Sequence, residues 1–185
     1  MTEKQIYVIT GGPGFGKTRL IEELRRSGYL CSDEFARELI EDQILSGGES
    51  LPSGNARLFQ QEVLKRRVEF FESVPGDSVA FADRGIVDQL AFARHKGFGS
   101  PENLLRNAAK YRYAQTVFVT PPWKEIFIND RIRTETFDEA ANIHQRIIET
   151  YEDLNYKIIE LPLLPTNKRV EFILLTISKF GSNEY

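Results

Sequence analysis

The residues best suited to chemistry form a glycine-rich run near the start of the chain, Gly11-Gly12-Pro13-Gly14-Phe15-Gly16-Lys17-Thr18. Glycines let backbone N–H groups approach an anion closely, and the N-terminus of a following helix adds partial positive charge. A lysine in this position reaches the β- and γ-phosphates of a nucleotide, and the threonine hydroxyl ligates Mg²⁺. The run therefore predicts a site for ATP with Mg²⁺. The residues expected to line it are Gly12, Pro13, Gly14, Phe15, Gly16, Lys17, Thr18 and Arg19.

A second candidate is the pair Asp83-Arg84, which follows the apolar run 79–82. An acid at the end of such a strand holds Mg²⁺ or acts as a base toward an attacking hydroxyl, with helix capping as the structural alternative. Arg84 cannot act as a base, but it can stabilise charge on a phosphoryl group. The pair therefore favours transfer to a bound acceptor over hydrolysis. Asp88, about one helical turn later, is expected to orient Arg84 or contact substrate, with packing or capping as the alternative.

Two further charged pairs lie next to predicted elements: one follows the second predicted strand, and the other precedes a predicted helix. Glu34 and Arg37 are three residues apart and share a helix face, so they either face the hydroxyls of an acceptor or form a surface ion pair. Arg131 and Arg133 precede a predicted capping box at 136–139. Two arginines in a lid spanning about 129–137 can close over the triphosphate and exclude water, although an exposed basic turn has the same pattern.

The elements that must position these residues alternate along the chain. Short apolar strands are predicted at 5–10, 29–31, 78–82, 116–120 and 156–161, with amphipathic helices between them. This alternation predicts an α/β fold in which a parallel sheet is covered by helices on both faces. Ligands in such sheets bind beyond the carboxyl ends of the strands, where the loop, Asp83 and Glu34 all fall.

Composition limits the other functions that the chain can have. The 185 residues fit a single domain spanning 1–185, and the net charge of −3 without a basic cluster favours no nucleic-acid partner. No apolar run approaches the ~20 residues that a membrane span needs. A lone cysteine, Cys31, excludes an internal disulfide and favours a reducing, cytoplasmic location.

Several of these segments resemble known P-loop proteins. The loop resembles that of adenylate kinases, Asp83-Arg84 resembles the Asp-Arg or Glu-Arg pair of thymidylate and deoxynucleoside kinases, and Glu34-Phe35-Ala36-Arg37-Glu38 resembles a stretch of the nicotinamide-riboside kinase domain of NAD-biosynthesis regulators. Over almost its whole length the chain resembles a family of small bacterial "AAA domain" predicted ATPases. The segments that carry this resemblance are 9–18, 83–88, 121–126 and 130–133.

The resemblance implies a three-layer P-loop NTPase fold of nucleoside/nucleotide kinase type, with strand order 2-3-1-4-5 and the segment 129–137 as lid. It implies ATP and Mg²⁺ as cofactors, a small nucleoside-like acceptor beside Asp83, and adenine near residues 162–168. A homodimer is compatible with it, because nucleoside kinases are often dimers. The alternative is a regulatory switch that binds ATP or GTP and hydrolyses it slowly.

Overall fold

The computed structural model describes residues 4–48, 51, 54–128 and 135–181, and the statements below refer to these residues. The strands are β1 (Gln5–Gly11), β2 (Leu30–Cys31), β3 (Val79–Asp83), β4 (Thr116–Thr120) and β5 (Lys157–Glu160). The helices are α1 (Lys17–Arg26), α2 (Phe35–Ser46), α3 (Ala56–Ser73), α4 (Ile86–His95), α5 (Glu102–Lys110), α6 (Phe137–Asp153) and α7 (Thr166–Gly181), with a 3₁₀ turn at Lys124–Ile126.

All strand pairs in the sheet are parallel, in the order β2-β3-β1-β4-β5. The predicted order is confirmed. Its register places Ile9 opposite Asp83 and Gly11 opposite Thr120, so β1 is flanked on both sides at its carboxyl end. The glycine loop that follows β1 therefore leaves the middle of the sheet, directly beside the end of β3.

Helices cover both faces of this sheet, as the continuous apolar strands predict. Alternate residues of β1 point to opposite faces: Ile6 and Val8 join one buried cluster, whereas Tyr7 and Ile9 join another. The first cluster extends into α4 and α6, and the second into α1 and α7. The three-layer arrangement follows from this division.

A third and smaller apolar cluster lies between α2 and α3. Its buried members are Leu39, Phe59 and Val63, with Ala36 and Ile40 packed against them. It is separate from the two clusters on the sheet faces. The pair α2–α3 thus has its own small core, next to the end of the sheet that carries β2 and β3.

Most element boundaries lie within two residues of their predicted positions. The capping box at the start of α6 is confirmed, since the Thr136 hydroxyl accepts from the Glu139 N–H (3.2 Å) and the Glu139 carboxylate accepts from the Thr136 N–H (2.7 Å). The run Ser100-Pro101-Glu102 predicts a helix with Ser100 as its cap and Pro101 at its first position, but this prediction is wrong. Pro101 is the N-cap residue of α5, with ψ of 129°, and the Ser100 hydroxyl accepts from Arg94 Nε (3.0 Å). No described helix combines the length and apolarity of a membrane span.

Candidate functional site

The glycine loop places its backbone against two neighbouring elements. Gly14 and Gly16 have φ of 75° and 82°, in the left-handed region that side chains rarely adopt. A Cβ atom at Gly12 would collide with the Phe15 ring and with the carbonyl oxygen of Ala140 in α6. Residue types other than glycine would therefore displace the loop backbone.

The loop leads directly into α1, whose first residue is Lys17. The buried Lys17 ammonium donates to the carbonyl oxygens of Gly12 (2.7 Å) and Gly11 (3.2 Å). A cation and the N-terminus of a ten-residue helix thus meet at the loop. This arrangement fits the phosphates of a nucleotide.

Asp83 lies at the end of β3, beside the loop. Its backbone N–H donates to the Ser32 hydroxyl (2.8 Å), and its side-chain Oδ1 is buried without a hydrogen-bond partner. Burial and then the nearby Glu34 carboxylate raise the pKa of Asp83 to about 6, against the opposing effect of Lys17 and Arg84. A buried carboxylate oxygen without a hydrogen-bond partner costs free energy of folding unless a ligand binds it.

The Thr18 hydroxyl and Asp83 Oδ1 are the hard oxygen ligands that Mg²⁺ prefers. The hydroxyl also lies 3.5 Å from Glu34 Oε2, so a second carboxylate stands next to it. Within the described residues, no three His, Cys, Asp or Glu side chains group closely enough to hold a metal ion. The residues therefore fit a Mg²⁺ ion that takes most of its ligands from phosphate and water, as Mg²⁺ usually does with nucleotides.

Arg84 is held by a buried carboxylate. Asp88, which is fully buried, accepts hydrogen bonds from Arg84 Nη1 (3.0 Å), the Gly85 N–H (2.7 Å), the Tyr151 hydroxyl (2.6 Å) and the Thr10 hydroxyl. Burial alone would raise the pKa of Asp88, but the cations and hydrogen bonds around it hold that pKa below its ordinary value. Of the roles predicted for Asp88, these contacts favour orienting Arg84 and capping α4.

The other predicted residues are dispersed. Glu34 is the N-cap residue of α2 and lies near Asp83, whereas Arg37 Nε donates to Glu41 (3.0 Å) of the same helix. Arg131 and Arg133 lie outside the described residues, as does most of the predicted lid. Their predicted roles stay predictions.

The structure adds several residues to one side of the site. A cavity of about 410 Å³ adjoins the loop. It is lined by Gly14, Gly16, Lys17, Thr18, Arg19, Trp123, Glu125, Ile126, Ile128, Leu164, Pro165, Thr166 and Arg169. Three of these fall in the segment 162–168, where adenine is predicted, and that prediction remains open.

Arg169 and Trp123 are the unforeseen members of this lining. Arg169 is 3% exposed, its guanidinium lies 5.4 Å from the Trp123 ring centre, and its Nε and Nη1 have no hydrogen-bond partner. Burial, followed by the charge of Arg19, lowers the pKa of Arg169. A tryptophan outside any motif, such as Trp123, is predicted to be a core residue, and no motif marks Arg169. Only its position in the first turns of α7 could have indicated it.

The fold and this site define a P-loop protein with the architecture of nucleoside and nucleotide kinases. The sequence profile of the family described as "AAA domain" matches residues 6–169, so the chain belongs to that family. The predicted resemblance is confirmed. A protein named "Nucleotide-binding protein" from Methylobacillus flagellatus is 26% identical over 96% of the chain. The chain spans 59% of the length of that relative.

Solved structures share the fold at low sequence identity. Thymidylate kinase from Candida albicans has a TM-score of 0.67 at 15% identity, covering 98% of this chain and 94% of that one. Deoxyadenosine kinase from M. mycoides has a TM-score of 0.65 at 14% identity, covering 95% and 100%. A NadR protein in complex with NAD and AMP-PNP has a TM-score of 0.64 at 15% identity, covering 98% and 51%.

Proposed function

We propose that this chain is a phosphotransferase that uses ATP with Mg²⁺ and acts on a small nucleoside-like acceptor. The observation that carries the proposal is the buried Asp83, whose Oδ1 lacks a hydrogen-bond partner beside the phosphate-binding loop. The next residue in the sequence is the buried Arg84 rather than a second acid. A carboxylate and a guanidinium in this order suit transfer to an acceptor better than activation of water.

Each residue has a role in this proposal. The loop backbone and Lys17 bind the β- and γ-phosphates, and the N-terminus of α1 adds to their field. Thr18 and Asp83 hold Mg²⁺, which supplies charge neutralisation at the phosphates when it is bound. Arg84, fixed by Asp88, stabilises charge on the phosphoryl group, and the predicted lid arginines Arg131 and Arg133 add to it.

The acceptor hydroxyl faces the carboxylates at the ends of β2 and β3. Asp83, with a pKa of about 6, accepts the hydroxyl proton or stays with the metal, and Glu34 contacts the acceptor's other hydroxyls. Arg37, one turn into α2, extends this contact in the proposal. The names of two fold relatives, a thymidylate kinase and a deoxyadenosine kinase, support an acceptor of nucleoside type.

The test is a transfer assay with γ-labelled ATP or GTP, Mg²⁺ and a panel of nucleosides, nucleotides and nicotinamide riboside. Label is followed into both phosphorylated products and free phosphate. Lys17→Ala and Asp83→Asn are expected to lower the transfer rate by about 10²-fold or more. Asp77→Asn, at an exposed turn before β3, is the matched control and is expected to retain the rate.

Labelled product from one acceptor, lost in both variants and kept in the control, supports the kinase and identifies its substrate class. Slow phosphate release that no acceptor stimulates contradicts the kinase. That second result favours the alternative of a nucleotide-binding regulatory switch with slow hydrolysis.

A further inference from the structure

Helix α3 contains a buried arginine that is only partly paired. Arg67 is 5% exposed, and its Nε and Nη1 have no hydrogen-bond partner. Burial lowers the pKa of this guanidinium, and the nearby Asp88 opposes that effect. An arginine nevertheless stays protonated in proteins. Arg67 is therefore a buried cation with at least two unused donors.

The neighbouring carboxylate cannot use those donors. Asp88 accepts four hydrogen bonds, from Thr10, Arg84, Gly85 and Tyr151, and a carboxylate has about four acceptor positions. Arg84 is also its ion-pair partner, at 3.0 Å. Two buried guanidinium groups thus lie near Asp88, whose acceptor positions are filled, and Arg67 is left without a hydrogen-bond partner at Nε and Nη1.

Polar groups also meet two helical turns before Arg67, where α3 contacts α4. Gln60 lies seven residues before Arg67, on the same face of α3, and accepts hydrogen bonds from Gln89 Nε2 of α4 at its backbone oxygen (3.0 Å) and at Oε1 (2.8 Å). Gln89 Oε1 is itself buried without a partner. These polar groups lie where α3 faces α4, next to the small α2–α3 cluster rather than within it.

An apolar or fully paired set of side chains would make this contact more stable, since a buried charge without a partner costs free energy. The unused donors of Arg67, next to Arg84 and Asp88, indicate a ligand instead. Anions with several oxygens, phosphate or carboxylate, are the groups that a guanidinium binds best.

We infer that Arg67, together with Arg84, binds an anionic group of the phosphoryl acceptor, either a phosphate or a carboxylate. The acceptor is then an anion, such as a nucleoside monophosphate, rather than a neutral nucleoside. That the bound anion is a phosphoryl acceptor rests on the proposed function, but the anion site itself can be tested without phosphoryl transfer.

The binding test keeps the glycine loop filled with a saturating non-hydrolysable ATP analogue and Mg²⁺. Calorimetry then compares thymidine with thymidine 5′-monophosphate, adenosine with AMP, and nicotinamide riboside with its mononucleotide, with shikimate as a carboxylate probe. At least one anion is expected to bind about 10- to 100-fold more tightly than its neutral partner. Arg67→Gln is expected to remove that preference, and Arg67→Lys to keep part of it.

The control is Arg57→Gln, an exposed position in the first turn of the same helix, which is expected to keep the preference. Stability is the second readout. Arg67→Gln is expected to melt at the same or a higher temperature than the wild type without ligand, because it removes a buried uncompensated charge. With the loop filled, inorganic phosphate is expected to raise the melting temperature of the wild type but not of this variant.

The inference is wrong if the anions bind no more tightly than their neutral partners and phosphate leaves the wild-type melting temperature unchanged. It is also wrong if Arg67→Gln keeps the preference for anions. Stabilisation by phosphate that depends on Arg67, without labelled product from any acceptor, supports the anion site while contradicting the kinase. Transfer to a neutral nucleoside that is insensitive to Arg67→Gln supports the kinase and contradicts the anion site.

Discussion

At the scale of single residues, the backbone of the site is strained at Arg84. Arg84 has a φ of 64°, a left-handed conformation that costs an L-residue on the order of 1–2 kcal/mol. Its N–H donates to the Ile9 carbonyl (3.1 Å), its guanidinium pairs with Asp88, and the same group lies 5.2 Å from the Phe92 ring centre. These contacts offset the strain and hold the guanidinium near Asp83, as the proposed role of Arg84 in charge stabilisation requires.

Asp83 gives a prediction about stability and pH. Its folded pKa of about 6 lies above the ordinary 3.8, so folding favours the protonated carboxyl. The stability that Asp83 contributes is present below about pH 4 and is lost as pH rises through about 6. Asp83→Asn should remove this loss and, without Mg²⁺, raise the free energy of unfolding at pH 8 by about 1–3 kcal/mol.

Urea unfolding of the wild type and this variant between pH 4 and pH 8 checks the prediction. Asp77→Asn, at the exposed turn, serves as the control. A variant that is less stable than the wild type at pH 8 would show that Asp83 is stabilised by contacts within the protein rather than held for a ligand.

The sequence could predict the residues whose role is set by their own local backbone. Lys17 and Thr18 follow a glycine turn into a helix, and Asp83 ends an apolar strand, so pattern alone locates them. Arg67 and Arg169 could not be found this way. Their burial beside the site depends on how α3 and α7 pack, and no spacing in the chain encodes an unpaired donor.

At the scale of elements, the loop is held by α6 through aromatic contacts. The Phe15 ring lies 5.8 Å from the His144 ring and 5.7 Å from the Phe137 ring, measured between centres, and its third ring neighbour is Phe127 at 6.1 Å. Two of these rings lie within α6. Helix α6, which begins after the Thr136 cap, thus helps to hold the glycine loop in position at the end of the sheet.

His144 makes this contact sensitive to acid. Burial, with Lys17 and Arg84 nearby, lowers its pKa to about 4 from an ordinary 6.5. The folded state therefore prefers the neutral imidazole, and the stability from His144 is present above about pH 6.5 and lost as pH falls toward 4. The variant His144→Phe should therefore lose up to about 3 kcal/mol less free energy of unfolding than the wild type as the pH falls from 6.5 toward 4.

Chemical denaturation at several pH values between 4 and 7 measures this effect as the difference between wild type and variant, since Asp83 acts in the opposite direction over part of the range. His95→Gln, at the exposed end of α4, is the control. Equal slopes for the wild type and His144→Phe would rule out His144 as the acid-sensitive contact.

Elements were predictable where burial dictates sequence. The strands β1 and β4 are buried on both faces and read as unbroken apolar runs, so their positions and the parallel sheet followed. The start of α5 was missed because Pro101 and Ser100 satisfy the usual signals for a cap in either register. The Ser100 hydroxyl accepts from Arg94 Nε rather than capping α5, and sequence spacing does not predict that contact.

At the scale of the whole molecule, stability is unevenly distributed. Each of the two sheet-face clusters contains alternate residues of β1, β3 and β4, so we expect these strands to unfold together. The α2–α3 cluster has only three buried members and stands apart from them. The elements that flank the proposed acceptor site are therefore joined to the rest mainly by polar contacts and by the C-terminal half of α3.

This division predicts two levels of amide hydrogen exchange. Amides of α2 should exchange through local opening, about 100-fold or more faster than those of β1 and β4, because opening exposes few apolar residues. Leu39→Ala, within the small cluster, should speed exchange in α2 by about tenfold or more and leave β1 and β4 unchanged. Leu20→Ala, fully buried in the second cluster, should instead lower global stability by about 2–5 kcal/mol and speed exchange throughout.

Mass spectrometry of exchanging peptides distinguishes the two variants. If Leu39→Ala speeds exchange in β1 and β4 as much as in α2, the chain is one cooperative unit and α2–α3 cannot open on its own. If the effect stays within α2 and the first half of α3, this part of the protein opens on its own, whereas Arg67 lies in the second half of α3, which packs on the main core. An acceptor that also contacts Glu34 and Arg37 at the start of α2, as proposed, would then slow exchange in α2 first, since a ligand stabilises the state that it binds.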